Sequence, residues 1–133
     1  MMTTNPGETA SLSGKSKLTV SSKQENGIVI LKFEGDLVGQ TMEVARQNFA
    51  DAVEAMNGVA PRFIIDLEAC EFMDSSGLGF FLGCLKKIRE AQGDLKLANI
   101  NAYMIGIFRL INLHYIIDCH ETLEKAIASF QAS

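Results

Sequence analysis

With 133 residues, 47% of them hydrophobic, the chain is long enough to close one sizeable core and short for two ordinary domains. Its formal net charge of −4, with no basic run, argues against nucleic acid or an anionic membrane surface as the main partner. No apolar stretch approaches the roughly 20 residues of a membrane span, because Asp, Lys, Arg or Asn interrupts each candidate.

Residues 1–16 are rich in Thr, Ser, Gly and Asn and lack periodicity. They read as a disordered N-terminal tail, without the basic start and apolar block of a secretory signal. The folded domain is expected over residues 17–133. Leu18 to Lys23 suggests a first strand, and Asn26-Gly27 is a hairpin turn signal because both positions tolerate positive φ. Ile28 to Glu34 follows as a strand with Val29, Leu31 and Phe33 on one face. Ile28, Ile30, Lys32 and Glu34 lie on the other, which suits one packed and one partly exposed side. Gly35 to Thr41 is a short loop, with Thr41 placed to cap the helix marked by Met42, Ala45, Phe49, Ala52, Val53 and Met56.

Phe63 to Leu67 is a short apolar run with one acid, Asp66, and reads as a buried strand with Asp66 in a structural role. Glu68 to Met73 connects it to a helix opened by Asp74-Ser75-Ser76-Gly77. Asp and Ser cap helices because their side-chain oxygens accept from the first unbonded N–H groups. Leu78, Phe81, Leu82, Leu85 and Ile88 form the expected apolar stripe, and Gly93 stands where a stop signal belongs. Gly79 and Gly83, four apart, share one helix face; they suit either close packing inside the domain or a flat patch for a partner. Beyond the turn at Gln92 to Asp94, Leu95 and Leu97 flank Lys96 in another strand. Asn101 can cap a helix with Met104, Ile105, Phe108 and Ile111 inward. Tyr115 to Ile117 reads as a short strand, and Leu123, Ala126, Ile127 and Phe130 as the stripe of a last helix.

The order ββαβαβαβα predicts an α/β fold. A mixed sheet of four to five strands would carry right-handed strand–helix units and four helices. Loops leaving the ends of parallel strands share one edge of the sheet. That edge should therefore bring Asp36, Gln40 and Thr41 near Ser75 and Asp74. A helix start carrying two hydroxyls tolerates an added phosphate, since unbonded N–H groups and the helix dipole both favour negative charge.

Phe72-Met73-Asp74-Ser75-Ser76-Gly77-Leu78-Gly79 resembles the signature of the STAS domain in bacterial anti-sigma-factor antagonists, and the likeness extends over about residues 17 to 131. The resemblance implies a STAS-type sheet and a phosphoacceptor at Ser75, the serine directly after the Asp. It also implies partner switching. The unphosphorylated form binds an anti-sigma-factor serine-protein kinase and releases the sigma factor, phosphorylation ends binding, and a PP2C-type phosphatase restores it. Asp74, Ser76, Gly77, Asp36 and Thr41 would surround the phosphosite. Met73, Leu78, Gly79 and Gly83 would meet the partner. Many phosphorylated members carry an Asp at the position held here by Val38, which leaves Asp36 as the only acid of that loop.

Two other outputs fit the same fold: an accessory STAS subunit of a membrane transporter, without a phosphate cycle, and a partner-switch regulator of a non-sigma output. An enzyme is not expected, because Ser75 lies outside a GxSxG elbow and His114 and His120 fall late in the chain. Cys70, Cys84 and Cys119 are an odd set in apolar contexts and read as reduced core thiols of a cytoplasmic protein. With no CxxC pair and no glycine-rich phosphate loop, no metal or other cofactor is expected. A monomer without direct membrane contact completes the reading.

Overall fold

The computed structural model describes residues 17–131; the expected tail over residues 1–16 lies outside the described residues. Strands β1 (Leu18–Glu25) and β2 (Ile28–Gly35) form an antiparallel hairpin, turned by Asn26 and Gly27 with φ of 55° and 79°. Strands β3 (Arg62–Ala69), β4 (Asp94–Ala98) and β5 (Asp118–His120) then add in parallel, giving one sheet in the order β1-β2-β3-β4-β5. Four helices alternate with them: α1 (Met42–Glu54), α2 (Ser75–Glu90), α3 (Ala102–Leu110) and α4 (Leu123–Gln131).

The helices divide between the two faces of the sheet. Val29, Leu31, Phe33, Phe63, Ile65, Leu95 and Leu97 pack against α1, α2 and α3 through Phe49, Phe81, Ile88, Met104 and Phe108. Fully burying one such side chain contributes about 1.5–3 kcal/mol. On the opposite face, Ile28, Ile30, Ile64 and Ala98 lie under Ala126 and Phe130 of α4. The second face of β2 is therefore not uniformly half-exposed, as its sequence suggests. Helix α4 seals Ile28 and Ile30, while Lys32 stays half-buried and Glu34 exposed.

Three expectations are corrected here. The inward stripe of α2 is Gly77, Phe80, Phe81, Cys84, Leu85 and Ile88, and Leu82 is 43% exposed. Tyr115 to Ile117 is not a strand: Leu113–Tyr115 is a 3-10 turn, Tyr115 and Ile116 are exposed, and β5 begins at Asp118. Ile111, expected inward, is also exposed, because α3 ends at Leu110. The stop after α2 works differently from the simple glycine signal. Gln92 takes the left-handed conformation (φ 68°), and Gly93 N–H donates to Ile88 O at 2.9 Å. Gly93 is needed for a close approach instead, since a Cβ there would collide with the Pro61 carbonyl oxygen.

On the α4 face, Lys96 is buried and donates to Asp118 Oδ2 at 2.9 Å, with its ammonium 4.6 Å from the centre of the Phe130 ring. His120 Nε2 lies 2.8 Å from the same carboxylate oxygen. Burial alone would raise the Asp118 carboxyl, but the Lys96 and His120 hydrogen bonds and charges hold it below its ordinary value. Asp66, fifth of the eight residues of the central strand, has a structural role: Oδ1 accepts from Asn99 Nδ2 at 2.8 Å and from Glu68 N–H at 3.1 Å.

Candidate functional site

The loops after β2 and β3 are stitched together where the two strands end. Leu37 and Met73 form an isolated parallel bridge beyond the ends of the two strands. Leu37 N–H donates to Phe72 O at 3.0 Å, and Asp74 N–H donates to Leu37 O at 3.1 Å. Leu37 and Met73 are buried, so the joint sits on the core and its geometry is fixed. Met73, expected at the partner face, is 1% exposed and supports the joint from below.

Asp74 is extended and caps α2. Its Oδ1 accepts from Ser76 N–H at 2.8 Å, and its carbonyl accepts from Gly77 N–H at 3.0 Å. Its Oδ2 faces Gly39 N–H of the other loop at 3.4 Å. The carboxylate thus ties both loops to the helix start. Gly77 is buried where a Cβ would meet Met73 Cβ at 3.0 Å and Leu37 O at 3.2 Å, so the helix enters this tightly only without a side chain.

Ser75 is the first residue of α2 and is exposed. Among the described residues, nothing bonds its hydroxyl. Ser76 points elsewhere: it is half-buried, with Oγ 3.8 Å from where a Cβ on Gly39 would stand. Thr41 does not cap α1 with its side chain. It is 1% exposed, accepts from Val38 N–H at 3.1 Å, and reaches Asp36 O at 2.8 Å, so it closes the first loop from inside. Asp36 is half-buried, and its charge acts on Cys70. Burial first, then that carboxylate, pushes the Cys70 thiol up to about 11. Among the described residues Asp36 makes no side-chain bond to Asp74 or Ser75. Burial likewise pushes the Cys84 thiol up, and burial with the Asp118 charge takes Cys119 to about 11. All three cysteines are unbridged.

Gly79 and Gly83 do not pack inside the domain. Both are exposed, and a Cβ on either would meet nothing within 4 Å. They line a groove of about 550 Å³ between α1 and α2 that begins at Ser76. Leu78 beside them is half-buried. A further feature escapes sequence reasoning. Phe72 and Tyr103, 43% and 50% exposed, stack with ring centres 5.8 Å apart. Asn101 fixes the start of α3 there, donating to Glu71 O at 3.0 Å and capping the helix at Met104 N–H at 2.8 Å. The only sequence signal was the aromatic residue that opens the motif. Among the described residues, no helix is long and apolar enough to cross a membrane.

The chain resembles known proteins over nearly all of this architecture. The STAS domain family matches residues 19–126, from β1 into α4. The anti-sigma-B factor antagonist of Bacillus subtilis (strain 168) is 31% identical over 110 residues, 83% of this chain and 97% of that protein. An anti-sigma factor antagonist from Mycobacterium paratuberculosis shares the fold with a TM-score of 0.76 at 20% identity, over 86% of this chain and 94% of that one. The Bacillus cell fate determinant SpoIIAA in its phosphorylated form gives 0.64 at 25% identity, over 84% and 99%. A match running the length of the sheet, and a relative alike almost end to end, make this chain a member of the STAS domain family, of the anti-sigma-factor antagonist kind.

Proposed function

We propose that this chain is the phosphorylatable member of a partner switch. Unphosphorylated, it binds an anti-sigma-factor serine kinase and frees the sigma factor. Phosphorylation of Ser75 ends that binding, and a PP2C-type phosphatase restores it. The observation that carries the reading is the Ser75 hydroxyl itself, exposed and unbonded at the start of a helix whose cap carboxylate is already engaged by Ser76 and Gly39. In this scheme the chain is the kinase's substrate and not a catalyst. It works in the cytoplasm as a monomer.

Phosphate chemistry sets the direction of the switch. A phosphoserine brings about −1.5 to −2 charge at neutral pH. At the N-terminus of α2 the helix favours that charge by roughly 0.3–2 kcal/mol, and the adjacent Asp74 carboxylate opposes it by a similar amount. The fold is therefore left almost unchanged. The partner face is different. Leu78 and the open Gly79 follow Ser75 by one helical turn, and Phe72 of the exposed Phe72–Tyr103 stack lies three residues before it, so a partner covering this face would bury the phosphate without a cation. An unpaired buried charge costs several kcal/mol, and about 1.4 kcal/mol is one decade of affinity. The switch thus acts by local electrostatic exclusion.

Ser75 and Ser76 separate the assignment. After incubation with the cognate kinase and ATP, phosphopeptide mapping is expected to place label on Ser75, and Ser75→Ala to remove it while Ser76→Ala keeps it. Label on Ser76, or label surviving in Ser75→Ala, rejects the assignment. A transporter-accessory role predicts no label on either serine.

A further inference from the structure

The turn from α3 into β5 holds four large apolar side chains out of the core. Leu110 and Tyr115 are 84% and 80% exposed, and Ile111 and Ile116 are 51% and 46% exposed. Hydrogen bonds wind this turn tightly, from Asn112 N–H to Arg109 O at 3.2 Å and from Ile116 N–H to Leu113 O at 2.9 Å. Leu113 and Ile117 anchor it in the core, and the His114 ring backs that of Tyr115 at 4.1 Å. Cations flank it. Arg89, in the last turn of α2, donates to Ile116 O at 3.1 Å and so stands against the turn. Lys86, three residues earlier, shares the helix face of Arg89, and Arg109 directly precedes Leu110. All three are exposed, and among the described residues none pairs with a carboxylate. Glu90 follows Arg89 as an exposed acid, but no acid occurs between Asp94 and Asp118, and Asp118 is already taken by Lys96 and His120.

Charge and size choose the occupant. A second copy is disfavoured, because a two-fold contact sets the same patch on itself and would gather the cations of both copies around one small contact. A folded partner needs about 800 Å² and roughly 20–30 residues a side, whereas the apolar surface here is a single turn. Leu110 and Tyr115 stand out as knobs, which a protein must meet with preformed pockets and a lipid headgroup layer does not. A tyrosine among aliphatic side chains, rimmed by Arg and Lys, is also the composition of an interfacial anchor. We propose that this turn docks on an anionic lipid surface, with Leu110, Ile111, Tyr115 and Ile116 among the headgroups and Lys86, Arg89 and Arg109 on the lipid phosphates. The composition of the chain argues against such contact because its net charge is −4; the three cations and the apolar turn come together only in the fold. The inference is independent of the phosphate switch. Helix α2 runs from Ser75 to Glu90, about 24 Å at 1.5 Å per residue, so docking at its end leaves the Ser75 edge free.

Flotation of the purified protein with lipid vesicles tests this. Binding is expected to vesicles of phosphatidylcholine mixed with phosphatidylglycerol and not to phosphatidylcholine alone. It should fade as salt rises, since screening shortens to about 3 Å at 1 M. Leu110→Ser with Tyr115→Ser should weaken it about tenfold or more, because less apolar surface enters the headgroups. Both side chains are exposed, so the fold is kept, which circular dichroism checks. Lys86→Glu with Arg109→Glu should weaken binding about 25-fold or more, each cation near an anionic surface being worth about fivefold. Lys17→Glu with Lys125→Glu, the same change of net charge away from the turn, should bind nearly as wild type does. The chain has no tryptophan, so Tyr115→Trp supplies a single reporter. Its emission should shift to the blue on the anionic vesicles, while that of Tyr103→Trp, at the other end of α3, should not. The proposal is overturned if the anionic vesicles are not bound, if the folded serine variant binds as wild type does, or if both charge variants weaken binding equally. An unshifted Tyr115→Trp overturns it too, as does a dimer in sedimentation analysis that Leu110→Ser with Tyr115→Ser dissociates, or an acidic protein held by this turn where vesicles are not.

Discussion

Helix α2 carries three glycines whose replacement by alanine should separate by sign. At Gly79 and Gly83 a Cβ meets nothing within 4 Å, so only helix propensity changes. That term favours Ala by about 0.8–1 kcal/mol per site. The double variant should then gain about 1.6–2 kcal/mol, raising the melting temperature by roughly 5–10 °C for a domain of this size. At Gly77 the same methyl would stand 3.0 Å from Met73 Cβ and 3.2 Å from both Leu37 Cβ and Leu37 O. Overpacking of a filled site costs about 1–3 kcal/mol. The propensity gain is smaller there because Gly77 lies in the first turn, so a net loss of about 1–2 kcal/mol is expected. The methyl would also press on the Leu37–Met73 bridge that holds the two loops together. Urea and thermal denaturation of the variants measure this, with the slope of the urea transition unchanged if the effect is on stability alone. Stabilisation by Gly77→Ala, or destabilisation by the Gly79→Ala, Gly83→Ala pair, would refute the packing argument.

Two further perturbations follow from single contacts. Gly93→Ala should destabilise by about 2 kcal/mol or more, because its methyl collides with a backbone carbonyl that cannot swing away, and urea denaturation reads the loss. Asp118→Asn should destabilise near neutral pH by leaving the buried Lys96 without its carboxylate. The Asp118 carboxyl is held below its ordinary value in the fold, so its contribution is present above about pH 4 and is lost as pH falls through the lowered folded value. The stability gap between wild type and Asp118→Asn should therefore close on acidification below that point; a gap that persists unchanged in acid would reject the pairing.

Most of the fold was legible because local signals and global packing agree. Asn26-Gly27 turns the hairpin, Asp74 and Asn101 cap helices with their side chains, and the alternating elements give a mixed sheet of five strands with four helices. The misreadings have a common cause: tertiary contacts override short apolar runs. Tyr115-Ile116-Ile117 looks more strand-like than Asp118-Cys119-His120, yet the edge strand is polar because the Asp118 carboxylate takes both Lys96 and His120 as partners. Leu82 fits a helical stripe as well as Cys84 does, yet Cys84 is buried and Leu82 exposed. The site was legible at Asp74, Ser75 and Gly77, where chain order fixes the geometry. It was less so at Thr41 and Met73, whose side chains turn inward because the two loops form a bridge. The Phe72–Tyr103 stack joins distant segments and left no periodic trace.

The partner switch rests on one comparison: calorimetric titration of wild type, Ser75→Ala and Ser75→Asp against the kinase partner, with melting temperature and circular dichroism recorded for each. The account predicts that all three share one fold and one melting temperature, that Ser75→Ala binds as wild type does, and that Ser75→Asp loses about two decades of affinity or more. Binding of Ser75→Asp as tight as wild type, or a loss of binding that tracks unfolding, would contradict it.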